Sequence, residues 1–215
     1  MGLFDRFKKQ EKSARHLAHP RDLQMGDMLD FELMAQASLQ AKSFQVNDIW
    51  TLDVGGDKSK RIYIQLKDIE QIIRLRVVDE DTLEVSREVD AETLLSLFPE
   101  QAIADILDAD SGVNHRLQLQ ENIDNLPLEL KGWLSSSYRQ EGFVLAYRYE
   151  KDYRQQRLPE VSGLEEEGCD FAWLVSDDRQ FSVEFRVFDG GRTEAHLCAM
   201  IPVRKVAGLW PAKQS

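Results

Sequence analysis

Cysteine is scarce in this sequence: Cys169 and Cys198 are the only two among 215 residues. Two thiols 29 positions apart cannot build a disulfide framework, a C-x-x-C redox pair or a cysteine-rich zinc site. Long apolar runs are also missing, and none approaches the 18 or so residues that a membrane-spanning helix needs. The first fifteen residues lack the apolar core and small-residue cleavage site of a secretory leader. Both thiols are therefore read as reduced, and the cytoplasm as the compartment. Neither G-x-x-x-x-G-K-[ST] nor G-x-G-x-x-G occurs, and G-x-S-x-G is absent too. No cofactor and no metal are expected.

Positive charge is in deficit. Lys and Arg number 27 against 38 Asp and Glu, a net charge of −11. Such a field repels nucleic-acid phosphates, and no compact basic cluster in the body offsets it, so nucleic acid is not an expected partner. The charge is uneven, because Arg6, Lys8, Lys9, Lys12, Arg15 and Arg21 outnumber Asp5 and Glu11 at the start. Residues 1–22 read as a basic arm. Leu3, Phe4 and Phe7 share one helical face, with Lys8 and Lys9 beside it. These five are candidate contact residues for a partner protein, for the chain's own sheet, or for an anionic membrane surface through residues 1–18.

What is present is periodicity. Phe44, Val46, Trp50, Leu52 and Val54 share one parity, and Ile62, Ile64 and Leu66 resume it after the turn signal Gly55-Gly56-Asp57-Lys58-Ser59. Ile72–Val78 and Leu83–Val89 flank the acidic turn Asp79-Glu80-Asp81. The period then becomes helical: Asp90 is a plausible N-cap, Pro99 suits the start of a second helix, and Pro127 with Leu130, Trp133 and Leu134 predicts a third. From Phe143 alternation returns. The expected fold is α+β, with two antiparallel β-rich segments, 23–89 and 141–215, flanking a helical segment 90–140. The two segments form separate units or one continuous domain from residue 23.

The last hairpin allows a register argument. Phe181, Val183, Phe185 and Val187 are apolar, as are Ala195, Leu197, Ala199 and Ile201. A two-residue turn would put these sets on opposite faces of the sheet. A three-residue loop, Asp189-Gly190-Gly191, keeps them together, with Gly191 left-handed. It also sets Arg186 opposite Glu194 and Glu184 opposite His196.

Glu184 and His196 are the best acid–base candidates, since a carboxylate would raise and orient an imidazole. The competing reading is a cross-strand charged pair on an exposed sheet face. Gly55-Gly56 with Lys58, Lys60 and Arg61 could hold an anion, although a solvated hairpin tip is the commoner use. Ser135-Ser136-Ser137 reads as a helix end. Cys198 shares a strand face with His196, as a structural thiol would. His16 and His19 have one-turn spacing but no further ligand, and Asp108–Gly112 departs from the calcium-loop pattern. Glu165–Glu167 reads as a solvated acidic tip.

The start Met1-Gly2-Leu3-Phe4-Asp5-Arg6-Phe7, the segment Leu23-Gln24-Met25-Gly26-Asp27-Met28-Leu29, and the final hairpin with Gly190-Gly191-Arg192-Thr193-Glu194 resemble the YjfK-like bacterial proteins of unknown function. The resemblance runs over nearly the whole chain and implies no activity and no catalytic residues. It implies an envelope-associated protein partner and a peripheral position at the inner membrane. The expectation is a non-catalytic protein-binding or assembly module. Two alternatives stand beside it: a peripheral inner-membrane adaptor held by the arm, and an enzyme built around Glu184 and His196.

Overall fold

The structure, a computed structural model, describes residues 15–108, 112, 114–163 and 166–212. Its strands are β1 (Met28–Phe31), β2 (Ser43–Asp53), β3 (Arg61–Lys67), β4 (Ile72–Val77), β5 (Thr82–Val89), β6 (Arg116–Gln118), β7 (Ser137–Tyr149), β8 (Glu166–Ser176), β9 (Phe181–Phe188), β10 (Thr193–Pro202) and β11 (Val206–Trp210). They pair antiparallel in the order β11-β1-β2-β3-β4-β5-β10-β9-β8-β7-β6. β2 also pairs with β7, Thr51 lying opposite Tyr149 and Asp53 opposite Tyr147. This ladder closes the eight strands from β2 round to β7 into a ring. Eight strands leave an interior that side chains can just fill.

The α+β expectation is overturned. The architecture is one large antiparallel sheet, and the middle of the chain supplies only two short α-helices among the described residues, α1 (Ala91–Leu97) and α2 (Glu100–Leu107). Asp90 does cap α1, accepting from the Thr93 N–H at 2.7 Å, and Pro99 precedes α2. The third helix does not form. After Pro127 the chain makes one turn, with Leu130 and Lys131 N–H bonding the Pro127 carbonyl, and Gly132 at φ +83° then ends it. Leu130, Trp133 and Leu134 are buried without a helix to carry them. No helix among the described residues is long and apolar enough to cross a membrane.

β2 needs a second correction. Phe44, Val46 and Ile49 join one buried cluster, whereas Trp50 and Leu52 join another. A bulge between Val46 and Asp48 inserts one residue and inverts the alternation midway, so the expected single parity is broken. The final hairpin has the expected register: Val187 pairs with Thr193, Arg186 with Glu194, and Glu184 with His196. Gly190 and Gly191 both take positive φ there.

The outer face of the ring is apolar. Ile64, Leu66, Leu75, Val85, Val183, Phe185 and Leu197 belong to one core, covered by Leu29 and Phe31 of β1, Leu94 and Leu97 of α1, Ile106 of α2, and Trp133. The opposite parity points into the ring. It carries Trp50, Tyr63, Phe171 and most of the protein's buried charge.

Candidate functional site

Alternation places Glu184 and Arg186 of β9, and Glu194 and His196 of β10, on the inner face. All four are buried, Glu184 at 1% exposure and His196 at 0%. The exposed-face expectation is thereby corrected, because closure of the ring turns this parity inward. Glu184 accepts from Arg186 Nη2 at 2.7 Å, from Arg61 Nη1 at 2.6 Å and from the Tyr63 hydroxyl at 3.1 Å. Arg61 and Tyr63 lie on β3, across the ring from β9, so these bonds span the interior. Arg186 lies over three rings: Tyr63 at 4.8 Å, Trp50 at 5.3 Å and Phe171 at 5.5 Å.

Paired in register, Glu184 and His196 do not act on each other. His196 Nδ1 accepts from Arg186 Nη1 at 3.2 Å and faces Arg74 Nη1 at 3.4 Å. An arginine can only donate, so this imidazole is neutral, with its proton on Nε2. Burial first, then the charges of Arg74, Arg186 and Arg148, hold its pKa well below the ordinary value. This is the opposite of the elevation expected from a carboxylate. Burial would raise the Glu184 carboxyl, but Arg186, Arg61 and Arg76 outweigh it and keep the group ionised.

A second set of ion pairs shares the inner face. Glu194 receives Arg192 at 2.7 Å, Arg74 at 3.1 Å and Arg148 at 3.5 Å. Arg76 forks onto Glu84 at 2.9 and 2.8 Å. Burial pushes the Tyr63 hydroxyl up to about 12, the Cys169 thiol to about 11, and Cys198 well above the usual thiol value. Neither sulfur is a thiolate at neutral pH, so neither is an activated nucleophile. Glu84, Glu184 and Cys198 do approach within 4.8 Å of one another. Their carboxylates are already neutralised by Arg76, Arg61 and Arg186, whose charges oppose a divalent cation. The carboxylates of this interior are paired with arginine, while Arg186 Nε and His196 Nε2 are buried without a hydrogen-bond partner, and no nucleophile–base couple forms among the described residues.

The other sequence candidates are dispersed. Asp53 occupies the Gly55 N–H at 2.9 Å and also takes that of Gly56, Lys60 bonds the Gln156 carbonyl at 2.6 Å, and Arg61 turns inward, so the hairpin-tip anion cradle is not formed. His19 caps a short turn and reaches the Glu80 carbonyl at 3.0 Å, away from any shared ligand with exposed His16. The Ser135 N–H is taken by the Tyr138 hydroxyl. Leu3, Phe4, Phe7, Lys8 and Lys9 lie outside the described residues, as does Glu165.

Sequence reasoning missed Arg74, Arg76 and Arg148, and placed Arg61 at a hairpin tip rather than in the interior. The available signal was the choice of arginine rather than lysine at inward positions of β3, β4 and β7, because a planar fork is the cation suited to buried pairing.

One surface feature stands apart. Among the described residues β11 is the terminal strand of the sheet and has a partner, β1, on one side only. Met28 pairs with Trp210, and both are exposed, at 40% and 56%. Met25 nearby is 56% exposed. The Trp210 indole donates to Asp30 at 2.8 Å, which holds the ring in place. Comparisons with protein-family models, with curated proteins and with solved structures give no match.

Proposed function

We propose that the chain is a non-catalytic protein-binding module whose contact surface is the β1–β11 edge. The observation that carries this reading is the uncharged strand Val206–Trp210, whose second edge is unpaired among the described residues, flanked by Lys205 and Pro211 and presenting Trp210 beside Met28. A bare strand edge offers backbone donors and acceptors to an added strand, and neighbouring apolar side chains supply selectivity. Lipid cannot satisfy those backbone groups, so the surface suits a polypeptide in extended form. The interior supports the same reading, since its carboxylates are each paired with arginine.

Photo-crosslinking from position 210 in the full-length chain tests this. A discrete protein adduct is expected at 210 and none at position 128, where Leu128 is more exposed, at 70%, but does not lie on a strand. Equal labelling at both positions, or none at 210, removes the proposal. A second reading, attachment to an anionic membrane surface through residues 1–18, is supported by Leu3, Phe4 and Phe7 among the basic residues of the arm. Flotation with anionic vesicles separates it: equal flotation with and without residues 1–18 ends it.

A further inference from the structure

The ring wall has a split. β3 and β4 pair from Lys67–Ile72 only as far as Ile64–Leu75. Continuing that register would pair Tyr63, Ile62 and Arg61 with Arg76, Val77 and Val78, and those ladders are not made. A cavity of about 260 Å³ occupies the gap. Five cationic side chains line it, Arg21, Lys60, Arg61, Arg76 and Arg154, and no carboxylate does. Each has a carboxylate partner outside the cavity. Glu184 takes only Nη1 of Arg61, and Glu84 takes Nε and Nη2 of Arg76. Nε and Nη2 of Arg61 and Nη1 of Arg76 make no hydrogen bond among the described residues. Each nitrogen of Arg154 donates to Asp152 or to the carbonyls of Arg21 and Leu23, so we treat it as wall.

These guanidiniums lie on the two strands that part. The charge of Arg76 acts against that of Arg61, and both side chains are largely buried. The remaining wall is apolar, from Ile62, Ile64, Val77 and Val78.

We propose that the β3–β4 split binds a small organic phosphate monoester, its dianionic head between Arg61 and Arg76 and its carbon portion against the aliphatic wall. A phosphoryl group has three oxygens, enough to accept from the Nε and Nη2 of Arg61 and from the remaining Nη1 of Arg76 at once, whereas a carboxylate has two. The volume lies below the roughly 300–1,000 Å³ of pockets for drug-sized ligands, so the ligand is small. The site is independent of the β1–β11 edge.

The test is calorimetric titration of the full chain with phenyl phosphate, inorganic phosphate and phenylacetate. Phenyl phosphate is expected to bind saturably and most tightly, inorganic phosphate more weakly, and phenylacetate weakest. Arg76→Lys keeps a cation beside Glu84 but loses the spare Nη1 donor, and should weaken phenyl phosphate binding about tenfold or more. The paired variant Arg76→Gln with Glu84→Gln removes both charges together and should do the same, with circular dichroism confirming the fold. The proposal is overturned by no saturable binding up to about 10 mM, by undiminished binding in either folded variant, or by phenylacetate binding as tightly as phenyl phosphate.

Discussion

The interior can be interrogated through Arg186 and Glu184. Arg186→Met keeps the volume of a long side chain but deletes a guanidinium with 0% exposure. Glu184 then loses its 2.7 Å partner and retains Arg61 and Tyr63. Breaking one side of a buried pair costs about 3–5 kcal/mol. The lower end is expected here, about 3 kcal/mol, because deletion also relieves repulsion between Arg186 and Arg74. Glu184→Gln should cost more, about 4–5 kcal/mol, since it leaves Arg186 and Arg61 facing each other without the anion between them. The double variant removes both partners and should cost no more than the costlier single, a coupling of roughly 3 kcal/mol. Urea unfolding of the four proteins, followed by far-ultraviolet circular dichroism, gives each term. A coupling below about 0.5 kcal/mol would refute the reasoning, because it would mean that water already screens these charges.

Two further tests follow from the same geometry. His196 is held neutral by burial and by Arg74, Arg186 and Arg148, so below its ordinary pKa the unfolded chain binds a proton that the folded chain refuses. Its contribution is present above about pH 6.5 and is lost as pH falls, by about 1.4 kcal/mol between pH 7.5 and 5.5. His196→Gln, whose amide oxygen can still accept from arginine, should lack that loss in urea unfolding, and an unchanged pH slope would show that the imidazole titrates normally. Gly142 lies under the Trp173 ring, where an added Cβ would stand 1.9 Å from the indole. Gly142→Ala should therefore displace the indole, alter the near-ultraviolet circular dichroism and cost about 1–3 kcal/mol; an unaltered spectrum and stability would show that the ring does not rest there.

Local chemistry was legible from the residues alone. Asp90 announced a helix start, Asp79-Glu80-Asp81 a turn, and the two apolar sets around Gly190-Gly191 a three-residue loop with one register, because each depends on neighbours a few positions away. The β2 parity was misread, since a bulge at Asn47 leaves no compositional mark. The helix after Pro127 was misread for a related reason: apolar spacing reports burial, not the backbone path that achieves it. Alternation says which side chains share a face, and it is silent about what covers that face. Arg186, Glu184 and His196 looked like solvent-facing residues until the ladder between Thr51 and Tyr149 closed the ring over them. Tertiary structure alone decided that, because a charge belongs inside only where the opposite wall brings its counter-charge within reach.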